Sequence, residues 1–318
     1  MARLKDRALQ TYNDVRQFIT IDIWRLDFSK LSKVKANLIK HLKILIITLH
    51  KFFSQRIGRE AVALSYFGMM ALVPMVAVIL FVSNGFGLDK ALSDMLFKSF
   101  PTSTQLINVI LGWANNIIVS TNKGAFGWIS FLTFVWLVIW LMLNIEQAFN
   151  RIWNVEKSRS ILKRVAVYFT ILFLAPFVLL LFLYGWAYYA RFVNDIQIYL
   201  GFFSFLTTNL FWVIFYGVAL LVLSLIYKFI PHAKVSYRAA LKGAIVSAAA
   251  FIVLQYLYME TQLMVTRLSA VYGAFAAVPL FMVWMNFCWF IILFGAELSY
   301  GFQHVENYDF TKKIQAKI

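Results

Sequence analysis

The chain has 318 residues, of which 62% are hydrophobic, 18% aromatic and only 14% charged, with a mean hydropathy of +0.74. A soluble domain carries about a quarter of its residues as charges, so this composition excludes one. The formal charge of +16 does not point to nucleic acid, because the Lys and Arg flank apolar segments, where anionic lipid headgroups would meet them.

Residues 1–37 form a basic, mixed-charge segment expected on the cytoplasmic side. Their opening run MARLKDRALQTYNDVRQF has no apolar core of the kind a cleaved signal peptide needs. Leu38, Leu42, Leu45, Leu49 and Phe52 then recur at helical spacing, with Lys40, Lys43 and Lys51 on another face. This predicts an interfacial helix or a cytoplasmic extension of the first crossing, with Gly58 as the break between them. Six long apolar segments follow, near 61–86, 124–147, 165–189, 202–227, 239–259 and 274–297. Each is long enough to cross a hydrocarbon core, which needs roughly 20 residues of helix. In the 87–123 loop, Leu106, Ile110, Trp113 and Ile117 share one helical face opposite Gln105, Asn108 and Asn115. That predicts a second amphipathic helix, serving as a cap on the bundle or as a lid over an outward-facing cavity.

The expected fold class is therefore an all-α integral membrane protein: a bundle of six transmembrane helices with additional interfacial amphipathic helices. Of the 30 Lys and Arg, 25 flank one side of the crossings, and only Lys90, Lys98, Lys123, Arg191 and Arg267 flank the other. Basic flanks stay in the cytoplasm during insertion, so both termini are expected there. The division is a cytoplasmic segment 1–37, a transmembrane domain 38–302 and a cytoplasmic tail 303–318.

Catalytic signatures are sparse. His41, His50, His232 and His304 have no paired metal-ligand spacing, and neither a GXSXG elbow nor a Walker loop occurs. Cys288 is the single cysteine and lies inside the last apolar segment, which leaves no thiolate metal site or disulfide framework. The chain is accordingly expected not to be an enzyme and to hold no cofactor or metal. Its expected partners are membrane lipids, including anionic headgroups at the cytoplasmic face, and a small solute or lipid as substrate, with no nucleic acid.

Two groups of residues stand out as candidate sites. Glu60 begins the first crossing, Glu146 ends the second and Glu297 ends the sixth, placing three carboxylates at one depth near the cytoplasmic face. With Arg59, Arg151 and Asn150 they form a candidate polar network. It reads either as ion pairs tying helix ends together or as a cytoplasmic gate or proton- or cation-linked site. The second group comprises the helix-breaking Pro74, Pro176 and Pro279 with the polar Asn286. Broken helices line pathways in transporters, but prolines are also ordinary in membrane helices.

Five runs resemble one family, in that family's order: ALSYFGMMALVPM at 63–75, NIEQAFNRIWNV at 144–155, YKFIPHAKVSYRAALKGA at 227–244, SAVYGAFAAVPLFMVWM at 269–285 and FGAELSY at 294–300. The chain resembles the YihY/virulence factor BrkB family over roughly residues 40–302. The resemblance implies a six-helix bacterial inner-membrane protein, with transport of lipids or small solutes as the implied activity. An envelope or scaffold role is the alternative. Tyr66, Pro74, Glu146, Asn150, Pro231, Tyr272, Gly273, Gly295 and Glu297 are the family-like residues here, and Tyr272 and Gly273 join the candidate pathway on that ground. The family has also carried the label ribonuclease BN, which nothing in these residues supports.

Overall fold

The computed structural model describes residues 23–25, 32–99, 104–121, 125–155, 160, 162–170, 173–174, 176–178, 180, 204–266 and 270–308. Every regular element among them is helical. Beyond one turn at Ile23–Arg25, the helices are α1 (Lys33–Ser54), α2 (Ile57–Gly85), α3 (Asp89–Ser99), α4 (Thr104–Thr121) and α5 (Ala125–Ile152). They continue with α6 (162–170), α7 (Ser204–Phe229), α8 (Tyr237–Thr266) and α9 (Ala270–His304).

Among the described residues, four segments are long and apolar enough to cross a bilayer: Leu132–Ile152, Trp212–Phe229, Tyr237–Thr261 and Pro279–His304. In α2, Ile57–Leu72 and Pro74–Gly85 meet at 42° and count as a fifth if taken as one broken span. Pro74 explains the bend, since it removes a backbone N–H and its ring pushes against the preceding turn. The remaining expected crossing, 165–189, begins as helix in α6, and residues 181–203 lie outside the described residues.

The predicted break at Gly58 falls elsewhere. α1 ends where Gln55 donates its N–H to Lys51, and Arg56 then turns the chain in the left-handed region with φ 57° and ψ 37°. Gly58 is already inside α2, where a Cβ would meet the rings of Phe52 and Phe290 at ordinary contact distance. The loop between α2 and α5 holds two helices, α3 and α4, instead of one.

α8 and α9 share the most extensive contact. Small residues set its spacing: Gly243 and Ser247 on α8 face Gly295 and Ser299 on α9, so the backbones nearly touch. A methyl group on Gly243 would come 2.6 Å from the carbonyl oxygen of Gly295, and one on Gly295 would overlap Ser247 and Tyr227. Ser299 Oγ bridges the pair by donating to the Ala239 carbonyl at 2.7 Å. α2 packs between α5 and α9, and α1 lies along the C-terminal half of α9.

α1 is turned contrary to a soluble amphipathic helix. Its leucines face outward, with Leu38 68% exposed, whereas Lys43 and Lys51 are only 5% and 3% exposed and turn inward together with Ile44, Ile47 and Phe52, the last of the predicted stripe. Beside a membrane the apolar face can remain on the outside, because lipid solvates it, and the polar face seeks protein partners.

Candidate functional site

Two buried ion pairs lie where α1, α5, α6 and α9 converge. Lys51 on α1 places its Nζ 3.5 Å from Glu297 Oε2 on α9, and both side chains are fully buried. The same ammonium donates to the Ile152 carbonyl at 2.5 Å, one of the carbonyls left without an intrahelical partner at the end of α5. It also sits 3.3 Å from the ring centroid of Tyr300, in cation–π geometry. One charge thus ties three helices together.

Glu146, also buried, lies six residues before Ile152, about 9 Å along α5. Arg164 Nε of α6 is 3.3 Å away and Tyr168 Oη donates to its second oxygen. Asn150, one turn further on, donates to Glu146 at 3.5 Å and accepts the His232 backbone N–H at 2.8 Å. The loop after α7 is thereby fastened to α5. Gln303 fastens its other side, accepting the Ser236 N–H at 2.8 Å and donating to the Lys234 carbonyl at 2.9 Å. Trp153 seals the edge with its ring against Tyr300 and His304.

The structure divides the expected network. Glu146 and Asn150 are joined, and Glu297 is on the same end of the bundle but in a separate pair. Glu60 and Arg151 pair with each other at the partly exposed surface. Arg59 joins none of them and lines an open groove beside Phe52, Phe53, Arg56, Gly58 and Phe290. The two cations that neutralise the buried carboxylates, Lys51 and Arg164, escaped sequence reasoning. In the sequence Lys51 stands only as one of three lysines on the face away from the leucine stripe. A usable signal existed in its stripe, since Lys43, Ile47 and Lys51 fall at i, i+4 and i+8 and mix charge with an apolar residue.

Of the candidate pathway residues, Pro74 and Pro176 are buried and Pro279 is exposed within α9. Asn286 donates to Ser65 at 3.4 Å, which joins α9 to α2. Tyr272 and Gly273 lie in α9, with their side chains outside the described residues. Among the described residues no group of three His, Cys, Asp or Glu stands close enough to hold a metal ion.

The family model for "Virulence factor BrkB" matches residues 48–317. The chain belongs to that family. Similar curated proteins are named UPF0761 membrane proteins. One from Acinetobacter baylyi is 30% identical over 269 residues, covering 81% of this chain and 62% of its own length. One from Pseudoalteromonas translucida is 29% identical, covering 79% and 83%, and one from Haemophilus influenzae is 26% identical, covering 78% and 91%. The chain thus spans a little under two thirds of the Acinetobacter relative and most of the other two. No solved structure matches it. The buried pairs at Glu146 and Glu297 lie within the BrkB-matched region, as do Lys51 and Arg164.

Proposed function

We propose that this BrkB-family membrane protein is a transporter or lipid translocator of the bacterial inner membrane. In this reading it has six crossings, both termini lie in the cytoplasm, and the Lys51–Glu297 and Arg164–Glu146 pairs close its cytoplasmic end. The observation that carries the reading is the burial of two charge pairs on one end of the bundle, each joining separate helices. Burying an ion pair gains little stability over an apolar replacement. A pair that is reversible by protonation or by an entering ion gives a bundle a switch, which apolar packing does not. Protonating Glu297 or Glu146 would release its cation and free α1 or α6 from the centre. The substrate is a small solute or a lipid, the basic flanks attract anionic headgroups, and the chain acts without catalysis, cofactor or nucleic acid.

A packed scaffold is the second reading, favoured by the near-contact of Gly243 with the Gly295 backbone. Single-cysteine accessibility separates the two in a Cys288→Ser background, with probes at Asn144, Asn150, Pro74, Asn286 and Gly273 and an impermeant thiol reagent applied from each side. Labelling at Asn150 and Asn286 that changes with an imposed proton gradient is the expected result. Complete protection at every internal position under all gradients, with labelled loop controls, overturns transport in favour of the scaffold.

A further inference from the structure

The elbow between α1 and α2 leaves a laterally open groove of about 550 Å³, lined by Phe52, Phe53, Arg56, Gly58, Arg59 and Phe290. Its volume lies within the range of small-molecule sites. Three aromatic rings and two guanidinium groups around one concavity make an amphiphilic lining.

The arginines are placed by a hydrogen-bonded turn. The Arg56 N–H bonds to Phe53 at 3.2 Å and the Arg59 N–H bonds to Arg56 at 2.9 Å, which fixes the two residues three apart across the start of α2. Arg56 holds φ 57°, a conformation that disfavours a residue with a Cβ and that glycine adopts freely. Among the described residues neither arginine forms an ion pair, and the one nearby carboxylate, Glu60, is occupied by Arg151. The groove therefore carries uncompensated positive charge.

Apolar surface continues from both walls. On α2, Val62, Tyr66 and Met70 follow Arg59 on one helical stripe, each more than half exposed. On α9, Phe287 and Val283 continue the stripe of Phe290, again about half exposed. These stripes flank the α2–α9 contact made by Gly68 with Trp289 and by Ser65 with Asn286. A cationic recess thus opens onto a furrow that water would not favour and an acyl chain would fill.

We infer that this groove is a binding site for an anionic phospholipid, with Arg56 and Arg59 holding the headgroup phosphate and the furrow between α2 and α9 holding an acyl chain. Planar guanidinium groups suit phosphate through paired hydrogen bonds. Basic recesses between helices at the membrane boundary take such headgroups. The site goes beyond a general attraction of basic flanks to the membrane, because it requires two particular arginines and one particular shape. It stands or falls independently of the transport reading, since no gate movement enters it.

The test is native mass spectrometry of the full chain in detergent, titrated separately with phosphatidylglycerol, phosphatidylcholine and inorganic phosphate. Phosphatidylglycerol is expected to bind at least tenfold tighter than phosphatidylcholine, and millimolar phosphate to compete weakly. Arg56→Gly removes one charge while relieving the backbone, so a loss of binding there is not a folding defect. Arg56→Gly and Arg59→Gln are each expected to weaken phosphatidylglycerol about fivefold, and together to erase its preference. Gly58→Leu is expected to lower its occupancy with both arginines retained, by filling the groove. Equal losses with Lys234→Gln, on the exposed loop after α7, overturn the site in favour of diffuse attraction. Unchanged binding in the double variant also overturns it, and displacement of phosphatidylglycerol by millimolar phosphate shows a free-phosphate site instead.

Discussion

At the end of the bundle that holds Glu146 and Glu297, side chains from α1, α2, α5, α7, α8 and α9 merge into one buried cluster that includes Ile47, Leu64, Phe149, Tyr227 and Leu293. At the other end, among the described residues, α2, α3 and α4 enclose a smaller cluster around Ala77, Leu80 and Leu92. Beside it remain an apolar cavity of about 170 Å³ and a polar recess of about 240 Å³ lined in part by Asn84, Lys90, Asp94 and Asn115. α2 runs through both regions and bends at Pro74 between them. Dense packing loses many dispersion contacts in any displacement, and loose packing loses few. Among the described residues, the part of α2 beyond Pro74, with α3 and α4, has room to rearrange, while the first half of α2 and the facing parts of α8 and α9 around Gly243 and Gly295 are fixed.

The largest effect that would break this comparison is steric. Gly295→Leu drives a side chain into Ser247 and Tyr227, and a cost above about 4 kcal/mol should leave no monodisperse protein in size-exclusion chromatography. Gly112→Leu in α4, where an added Cβ meets nothing within 4 Å, should accumulate normally. If both variants behave alike, the two ends do not differ as described.

Electrostatics come next. Lys51→Met leaves Glu297 as a buried charge without its ion pair and should cost about 3–5 kcal/mol, as should Glu297→Gln, which leaves Lys51 in that state. The double variant Lys51→Met with Glu297→Met should recover most of that loss in detergent thermal melts. A double variant as unstable as the singles would show that the pair is structurally indispensable rather than a switch.

Large-to-small substitutions sharpen the packing contrast. Leu293→Ala in the large cluster should cost about 4 kcal/mol, and Leu92→Ala, beside existing space, about 2 kcal/mol. Melting temperatures of the two variants, measured in one detergent, give the order directly.

The smallest effect lies at the surface. Lys40 is 2.5 Å from Glu306, and its hydrogen bond and charge hold the Glu306 carboxyl below the usual carboxylate range. That stabilisation is complete above the unfolded value of about 4.3 and is lost as pH falls through the lower folded value. Because the pair is exposed, Lys40→Gln should change stability by about 0.5 kcal/mol or less at neutral pH. The difference between Lys40→Gln and the parent chain should vanish in melts taken well below pH 4.

Legibility in the sequence followed the range of each interaction. The spans in α5, α7, α8 and α9 and the bend at Pro74 were readable, because length, hydropathy and a missing N–H act within one segment. Glu146 and Glu297 stand out in the sequence as carboxylates at the ends of apolar segments, and both are buried. Their partners do not stand out in this way. Lys51 lies on a helix whose pattern separates lysines from leucines without saying which face meets the bundle, and only the packing of α1 along α9 turns Lys51 inward. Arg164 counted as one of several loop cations until α6 placed it beside Glu146.

By itself, then, the sequence determined an all-helical membrane chain and where its charges could lie. Hydrophobic length and charge placement are set one helix at a time against the bilayer. The tertiary structure alone decided that Glu297 meets Lys51, that Glu146 meets Arg164, and that Arg59 turns to a groove with Arg56. Which cation neutralises a carboxylate depends on which helix faces meet. That choice rests on close contacts such as Gly243 against Gly295, whose shape complementarity no single segment encodes.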